Sequence, residues 1–175
     1  MSDSVTMHPI GVIRSVHTDP EKTPIQPKFA QDCIGTVVVD EKYLDALADI
    51  DRFSHLYLIY WLHKAGPVKL KLKPFLSDEI RGLFATRAPS RPNPIGMSIV
   101  ELISRDENIL DVRGVDILDG TPLLDIKPYT ERFDNVQTRR NGWQDSLDDA
   151  TAERLGRRNY NPAPPVPEPE TRWKD

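Results

Sequence analysis

Most apolar positions of this chain lie in short runs that have the composition of β-strands. The runs are rich in β-branched and aromatic residues and are separated by turn residues, which favours strands over helices. One run, residues 53–62, is almost entirely apolar, which predicts a strand buried on both faces. Another, residues 68–73, alternates lysine with aliphatic residues, which predicts an edge strand. The full set of predicted strands is 9–14, 33–40, 53–62, 68–73, 97–103, 109–117 and 123–127.

Helical patterns are few. Residues 43–47 predict a short helix, and residues 146–158 predict a longer one that opens with a capping box of Ser146 and Asp149. The strands at 97–103 and 109–117 are separated by a charged turn and predict a hairpin. Closely spaced strands with so few helices predict a mainly β fold, a compact antiparallel β-barrel rather than alternating strands and helices.

The composition sets the domain organisation and the expected compartment. Residues 1–160 predict a single domain, and the five prolines between 161 and 170 predict an extended C-terminal tail over 161–175. A single cysteine, Cys33, and the lack of a long apolar run predict a cytoplasmic protein that does not enter a membrane. The four histidines are scattered, so their spacing predicts no metal site.

Charge is distributed unevenly along the chain. The formal net charge of −4 does not by itself indicate a nucleic-acid-binding protein. The segment from 69 to 91, however, is locally basic and could receive a phosphate-bearing partner. Its cations are Lys69, Lys71, Lys73, Arg81, Arg87 and Arg91, against Asp78 and Glu79.

The most unusual stretch runs from 84 to 97 and predicts a stiff, cationic turn. Three prolines within it fix φ and bias the preceding residues away from helix. Arg87 and Arg91 carry planar forks that suit a carboxylate or a phosphate. Together with polar residues at other strand ends, such as Gln26 and Asp119, this turn predicts a site for a small polar or phosphorylated ligand. The chain has no glycine-rich nucleotide-binding fingerprint and no G-x-S-x-G motif, so it lacks the signatures of Rossmann and α/β-hydrolase enzymes.

Four stretches, in this order, resemble the TrmO/TsaA-like proteins, which are S-adenosylmethionine-dependent tRNA adenine-N6 methyltransferases. They are residues 53–56 (FSHL), 84–87 (FATR), 91–98 (RPNPIGMS) and 119–129 (DGTPLLDIKPY). The resemblance covers about residues 10–129. It implies a non-Rossmann β-barrel and a homodimer whose S-adenosylmethionine site lies near the subunit interface.

The resemblance also implies the residues of the site. Its cofactor contacts fall on Pro24, Ile25, Gln26, His63, Lys64, Arg87, Met97, Asp119, Gly120, Thr121 and Pro122. In these roles Arg87 would grip the methionyl carboxylate, Asp119 would hold ribose hydroxyls or the amino group, and Met97 would pack on adenine. Ile25 stands where bacterial relatives often carry arginine.

The acceptor side is predicted more weakly. The candidates are Arg91, Asn93, Lys127 and Tyr129, with Tyr129 as a stacking surface for an unstacked base. The Asn93 carbonyl or Asp125 could accept a hydrogen bond from the reacting nitrogen, and no catalytic residue is assigned.

The reaction implied is N6-methylation of threonylcarbamoyladenosine beside the tRNA anticodon. Two alternatives stay open at this point. Longer relatives carry an additional C-terminal domain, whereas this chain continues into a proline-rich tail, so the acceptor could be a small metabolite instead of tRNA. The protein could also be a non-catalytic module that binds S-adenosylmethionine. The two enzyme hypotheses differ in whether the basic segment 69–91 contributes to binding of the acceptor.

Overall fold

The computed structural model describes residues 4–158 and 160, and the predicted tail at 161–175 lies outside them. Its central feature is a closed antiparallel barrel of six strands in the order β1-β2-β7-β6-β3-β8, which confirms the predicted fold class. A separate two-stranded sheet is formed by β4 and β5. The strands are β1 Gly11–Arg14, β2 Ile34–Val39, β3 His55–Trp61, β4 Lys71–Leu72, β5 Arg81–Gly82, β6 Ile95–Asp106, β7 Ile109–Arg113 and β8 Thr121–Pro128.

The helices are short. The two α-helices are α1 Glu131–Asp134 and α2 Asp149–Gly156, and 3₁₀ helices are formed by Pro27–Phe29, Glu41–Leu47, Ile50–Arg52, Leu83–Ala85 and Gly142–Ser146. The predicted short helix at 43–47 is therefore a 3₁₀ helix that starts two residues earlier. The predicted capping box is wrong. Asp148 caps α2 by accepting hydrogen bonds from the backbone of Ala150 and Thr151, and Ser146 instead donates to the carbonyl of Trp143.

The barrel core follows from the alternation of inward and outward side chains along each strand. Fully buried interior positions come from every strand of the barrel, and closure pairs the strands that would otherwise be edges. The principal interior residues are Ile13, Val37, Leu56, Leu58, Val100, Leu110, Val112 and Leu123. Cys33, just before β2, is buried.

Two strand predictions need correction. Residues 53–62 are not buried on both faces, because a barrel strand turns one face outward: Leu56 and Leu58 are buried, whereas Trp61 is 46% exposed. The run at 68–73 is not an edge of the barrel. Only Lys71 and Leu72 are in a strand, they pair with β5, and Leu70 is 72% exposed.

The predicted hairpin of β6 and β7 is confirmed, with changed limits. β6 is twelve residues long and reaches back to Ile95, so it includes the end of the proline-rich turn. β7 ends at Arg113 because Gly114, with φ of +90°, turns the chain out of the sheet. β8 begins at Thr121 and includes both Pro122 and Pro128.

The barrel has two distinct ends. We call the end where β1, β3 and β7 finish and β2, β6 and β8 begin the upper end, and the other the lower end. The lower end is covered by the 3₁₀ helix Glu41–Leu47 and contains an apolar cavity of about 320 Å³ lined by side chains such as Tyr43, Phe53 and Ile126. The upper end carries the longer loops.

Candidate active site at the upper end of the barrel

Most of the predicted cofactor contacts meet at the upper end. Because the strands are antiparallel, the loops before β2, β6 and β8 and the loop after β3 all emerge there. The loop before β2 carries Pro24, Ile25 and Gln26, and the loop before β6 carries Arg87. The loop before β8 carries Asp119 and Gly120, and Thr121 and Pro122 are the first residues of β8. The loop after β3 carries His63 and Lys64. Residues that are far apart in sequence are thus gathered by the topology.

Arg87 is linked directly to the loop before β2. Its Nη1 donates a hydrogen bond of 2.6 Å to Oε1 of Gln26, across 61 positions of sequence. The same loop is fixed from behind by α2, since the backbone amide of Ile25 donates to the carbonyl of Gly156 over 3.0 Å. A side chain at Gly156 would collide with the ring of Phe29, so this close approach requires glycine.

Asp119 is held in place by the end of β1. Its Oδ1 accepts a hydrogen bond of 3.2 Å from the amide of Ser15, and its Oδ2 forms an ion pair of 3.6 Å with Arg14. Gly120, with φ of +74°, then turns the chain into β8. The Asp119 carboxylate is partly exposed, so it is oriented by the protein and still open to a ligand at the upper end.

A hydrogen-bonded chain of polar side chains inside the upper end, partly exposed at Asp116, was not predicted from the sequence. The hydroxyl of Tyr60 lies 3.0 Å from Oγ of Ser98, and Ser98 donates a hydrogen bond of 2.6 Å to Oδ1 of Asp116. Ser98 is only 2% exposed, and Tyr60 is also buried. The signal that could have found this chain is that Tyr60 and Ser98 fall on the inward face of their strands, where the other interior residues are apolar.

The surroundings of this hydrogen-bonded chain shift the pKa values of Asp116 and Tyr60. Burial raises the pKa of Asp116 to about 7, against the opposing effects of the hydrogen bond from Ser98 and the positive charge of Arg87. Burial also raises the pKa of Tyr60 far above its usual range, and the charge of Asp116 acts in the same direction. Asp116 therefore exchanges its proton near neutral pH, while Tyr60 stays protonated.

The predicted acceptor residues divide between the two ends of the barrel. Arg91 and Asn93 lie at the upper end. Arg91 braces its own loop, because its Nη1 donates to the carbonyl of Thr86 over 2.9 Å and its guanidinium lies 5.5 Å from the ring centre of Phe84. Asn93 is exposed.

Lys127 and Tyr129 follow β8 to the lower end. Lys127 pairs with Asp125 over 2.8 Å, and the Tyr129 ring packs edge-on against Tyr57. Asp125 also accepts a hydrogen bond from the amide of Ile126. Within one chain, the structure does not bring these residues to the other site candidates, and their role stays a prediction.

A cleft beside Arg87 was also missed. Residues 84–87 and 141–144 line an open cleft of about 350 Å³, and Phe84, Arg87 and Trp143 are among its lining residues. Phe84 is 77% exposed, and the indole Nε1 of Trp143 donates to the carbonyl of Ala85 over 2.8 Å. The cleft combines flat aromatic surface with a cation, which suits a planar polar group.

Met97 differs from the other cofactor candidates because its side chain points out of the barrel and is 53% exposed. It belongs to a contiguous apolar surface, since Ile59 pairs with Met97 and Trp61 with Ile95 across β3 and β6. We call this surface the outer apolar face; its members are Tyr57, Ile59, Trp61, Ile95, Met97 and Ile99.

Among residues 4–158 and 160, no group of three or more His, Cys, Asp or Glu side chains is placed to hold a metal ion. His63 is partly buried and packs edge-on against Trp61, with the ring centres 6.2 Å apart. None of the helices in the same residues is both long and apolar enough to cross a membrane.

Comparison with known families agrees with this geometry. Residues 12–135 match the family model described as the tRNA-methyltransferase O N-terminal domain. The chain belongs to this family. The match confirms the family that the four sequence stretches predicted, and it covers the barrel from residue 12 onwards but not Trp143 or α2.

Related proteins carry names consistent with the family. A probable S-adenosyl-L-methionine-binding protein of Pyrococcus abyssi is 50% identical over 139 residues, which are 79% of this chain and 76% of the relative. The tRNA (adenine(37)-N6)-methyltransferase of Mus musculus is 33% identical over 136 residues, which are 74% of this chain but only 32% of the mouse protein.

Solved structures give the same picture. The crystal structure of TrmO from Pseudomonas aeruginosa aligns with a TM-score of 0.70 and 37% sequence identity. The alignment covers 83% of this chain and 64% of the TrmO chain, so this chain spans less than two thirds of the solved enzyme.

Proposed function

We propose that this protein is an S-adenosylmethionine-dependent methyltransferase that methylates N6 of threonylcarbamoyladenosine beside the tRNA anticodon. The observation that carries the proposal is the convergence of the predicted cofactor contacts, apart from Met97, at the upper end, around the hydrogen bond between Arg87 and Gln26. The names of the relatives support the cofactor and the reaction class. The location expected for such an enzyme is the cytoplasm.

The side chains at the upper end fit this cofactor chemically. Arg87 offers a guanidinium for the methionyl carboxylate, and Asp119, already oriented by Arg14 and Ser15, offers a carboxylate for ribose hydroxyls or the amino group. The bound cofactor supplies an electrophilic methyl group on a positively charged sulfur. The protein's contribution is to fix the ends of the cofactor and to hold the acceptor nitrogen in line with the methyl group.

The cleft beside Arg87 supports an unpaired nucleobase as the acceptor. Bases outside a helix are recognised by stacking on aromatic side chains, and Phe84 and Trp143 supply such surfaces next to the cofactor candidates. Arg91 would contribute by holding Phe84 in position. Asn93 lies at the same end and could bind the polar edge of the base.

The small sheet of β4 and β5 provides the basic surface for tRNA. Two of the four cations in and beside this sheet are neutralised, because Lys73 pairs with Asp78 over 2.5 Å and Arg81 with Glu79 over 3.0 Å. Within residues 4–158 and 160, no ion pair involves Lys69 or Lys71, so these two are available for phosphates.

A homodimer is part of the same proposal. The outer apolar face is exposed in one chain although it carries Met97, a predicted cofactor contact. A second copy that covered this face would bury its apolar side chains and bring Met97 into an enclosed site. Light scattering should therefore give twice the chain mass, and Ile99→Lys should yield a monomer; a monomeric wild-type protein at micromolar concentration would contradict the dimer.

The decisive experiment measures methyl transfer from labelled S-adenosylmethionine to two tRNA samples, one with the threonylcarbamoyl group and one without it. We expect labelled N6-methyl-threonylcarbamoyladenosine only from the modified tRNA. Calorimetry on the same sample establishes whether the cofactor is bound. Cofactor binding without transfer to either tRNA would contradict the tRNA proposal.

A small-metabolite acceptor is the second candidate, and the two ion pairs that neutralise half of the small sheet's cations favour it. The double substitution Lys69→Ala and Lys71→Ala distinguishes a tRNA acceptor from a small-metabolite acceptor. A tRNA enzyme should lose acceptor affinity and part of its salt dependence, whereas a small-molecule enzyme should not change. Product from any acceptor would exclude the third reading, a non-catalytic binding module.

A further inference from the structure

The polar chain inside the upper end has a defined direction. When Asp116 is ionised, Ser98 donates its one hydroxyl proton to the carboxylate and accepts a hydrogen bond from the hydroxyl of Tyr60. Both hydroxyl protons therefore point towards the Asp116 carboxylate. This arrangement fixes one carboxylate oxygen in place and supports the ionised, proton-accepting form of the group.

From this geometry we propose that Asp116 is the general base that takes the proton from the acceptor nitrogen as it is methylated. The inference rests on the proposed function and adds the catalytic group that sequence reasoning left unassigned. Asp116 follows β7 at the upper end, in the same loop as the cofactor candidates Asp119 and Gly120, and it is only partly buried. The positive charge of Arg87, which lines the cleft between Phe84 and Trp143, also acts on it. The carboxylate therefore lies at the end of the barrel where most of the predicted cofactor contacts are found.

The reaction needs such a group. The lone pair of the N6 nitrogen is delocalised into the purine ring and the adjoining carbonyl, so the neutral nitrogen is a weak nucleophile. During transfer, the nitrogen forms a bond to the methyl carbon while the carbon–sulfur bond breaks and its electron pair stays on sulfur. The N–H bond also breaks, and its proton passes to the Asp116 carboxylate. Products are the methylated nucleoside, the neutral thioether and protonated Asp116, which returns its proton to water.

Other carboxylates are less suited to this role. Asp119 is paired with Arg14 and bound by the amide of Ser15, and Asp125 is paired with Lys127 at the lower end. The ionisable groups that interact with Asp116 are Arg87, Tyr60 and Cys33. The pKa of Asp116, raised by burial to about 7, lies where a base exchanges protons readily at physiological pH.

The first test is Asp116→Asn, which preserves shape and still lets Ser98 donate. We expect kcat to fall by about 100-fold or more, the range typical of a lost general base. The rise of wild-type kcat/KM with pH near 7 should disappear in the variant.

Asp111→Asn is the matched control, because Asp111 also accepts hydrogen bonds from two hydroxyl groups, those of Thr36 and Ser104, but lies in the barrel wall. A variant that retains more than a third of wild-type kcat, or the same pH dependence, would overturn the proposal.

Ser98→Ala provides a second, milder test that keeps the carboxylate. Loss of the hydrogen bond that favours ionisation should move the rise in kcat/KM to higher pH. An unchanged position of that rise would contradict a base at Asp116. Thermal denaturation of each variant identifies any loss of rate that comes from unfolding, and Ser98→Ala serves if Asp116→Asn does not fold.

A binding measurement separates failure of this inference from failure of the proposed function. A carboxylate near the reacting centre should favour positively charged S-adenosylmethionine over neutral S-adenosylhomocysteine. The ratio of the two affinities should rise with pH through about 7 in the wild type and be lower and flat in Asp116→Asn. If the wild type transfers no methyl group to tRNA, the proposed function fails and this ratio still tests Asp116. A ratio insensitive to pH and to the substitution would remove Asp116 from the reacting centre.

Discussion

The two ends of the barrel are built from the same strands but contain different chemistry. In β3, Leu56 points into the lower half of the barrel and Tyr60, four residues later, into the upper half. In β6, Val100 and Leu102 pack in the apolar core, whereas Ser98 hydrogen-bonds to Tyr60. The lower end surrounds a partly open apolar cavity, and the upper end opens into charged loops.

This difference shows how a small barrel separates stability from function along its axis. Apolar interior groups contribute burial free energy wherever they lie, whereas a buried hydroxyl or carboxylate destabilises the fold unless it is hydrogen-bonded. Tyr60, Ser98 and Asp116 satisfy one another, so the upper end can hold polar groups without losing the barrel. We expect substitutions at the lower end to change stability without changing binding, and those at the upper end to change binding or turnover as well.

The largest expected effect is on stability, from Leu56→Ala. Leu56 is completely buried, so its truncation should lower the free energy of unfolding by about 2–5 kcal/mol. Urea denaturation measures this loss. Calorimetry on the folded variant should give unchanged affinity for S-adenosylmethionine, because the substitution is remote from the upper end. A several-fold loss of affinity in folded protein would show that the two ends are coupled.

Asp116→Asn should have the opposite effect on stability, in a pH-dependent way. The folded pKa of Asp116, about 7, is above its ordinary value of 3.8, so between these values the folded chain binds a proton that the unfolded chain has released. Ionisation of Asp116 therefore lowers the free energy of unfolding progressively as pH rises from about 4 to 7, by at most ~4 kcal/mol. The variant lacks this penalty, so its stability relative to wild type should increase over that range and then level off.

Denaturation of both proteins at pH 5, 6, 7 and 8 measures the difference. His17 works in the opposite direction, because burial lowers its pKa and stability is lost as pH falls below about 6.5. Both proteins contain His17, so its contribution cancels in the comparison. Leu56→Ala should differ from wild type by a constant amount at every pH. A difference between Asp116→Asn and wild type that does not vary with pH would show that the carboxyl does not titrate in this range.

The sequence predicted the scaffold better than the site. Alternating apolar residues and turn signals were enough for the antiparallel barrel, because strand period is a local property. The hydrogen-bonded chain of Tyr60, Ser98 and Asp116 could not be predicted from the sequence. Tyr60 and Ser98 come together only through the strand register in which Leu58 pairs with Ser98 and Tyr60 with Gly96. Trp143 was missed for a related reason: it lies in a short 3₁₀ helix with no periodic pattern, and its position beside residues 84–87 results from tertiary packing.

Arg87→Ala tests the upper end through cofactor binding. Loss of a charge-assisted hydrogen bond removes about 1.5–3 kcal/mol, so affinity for S-adenosylmethionine should fall about 10- to 100-fold. The free energy of unfolding should change by less than about 1 kcal/mol, since the side chain is exposed. Arg52→Ala is the matched control, because Arg52 is an exposed arginine at the lower end that pairs only with nearby Asp49 in the described structure. Equal affinities for the two variants would show that Arg87 does not contact the cofactor.

Trp143→Ala has the smallest expected effect, and it tests whether acceptor binding and cofactor binding use different parts of the upper end. Stacking of a base on an aromatic ring contributes about 1–3 kcal/mol, so KM for modified tRNA should rise about 5- to 150-fold while affinity for S-adenosylmethionine stays unchanged. Trp143→Phe keeps the stacking surface but loses the hydrogen bond from Nε1 to Ala85, and should lie between wild type and Trp143→Ala. If both variants lose the same acceptor affinity, the indole acts by anchoring residues 84–87. If neither changes KM, the base lies elsewhere, and the cleft is separate from the acceptor site.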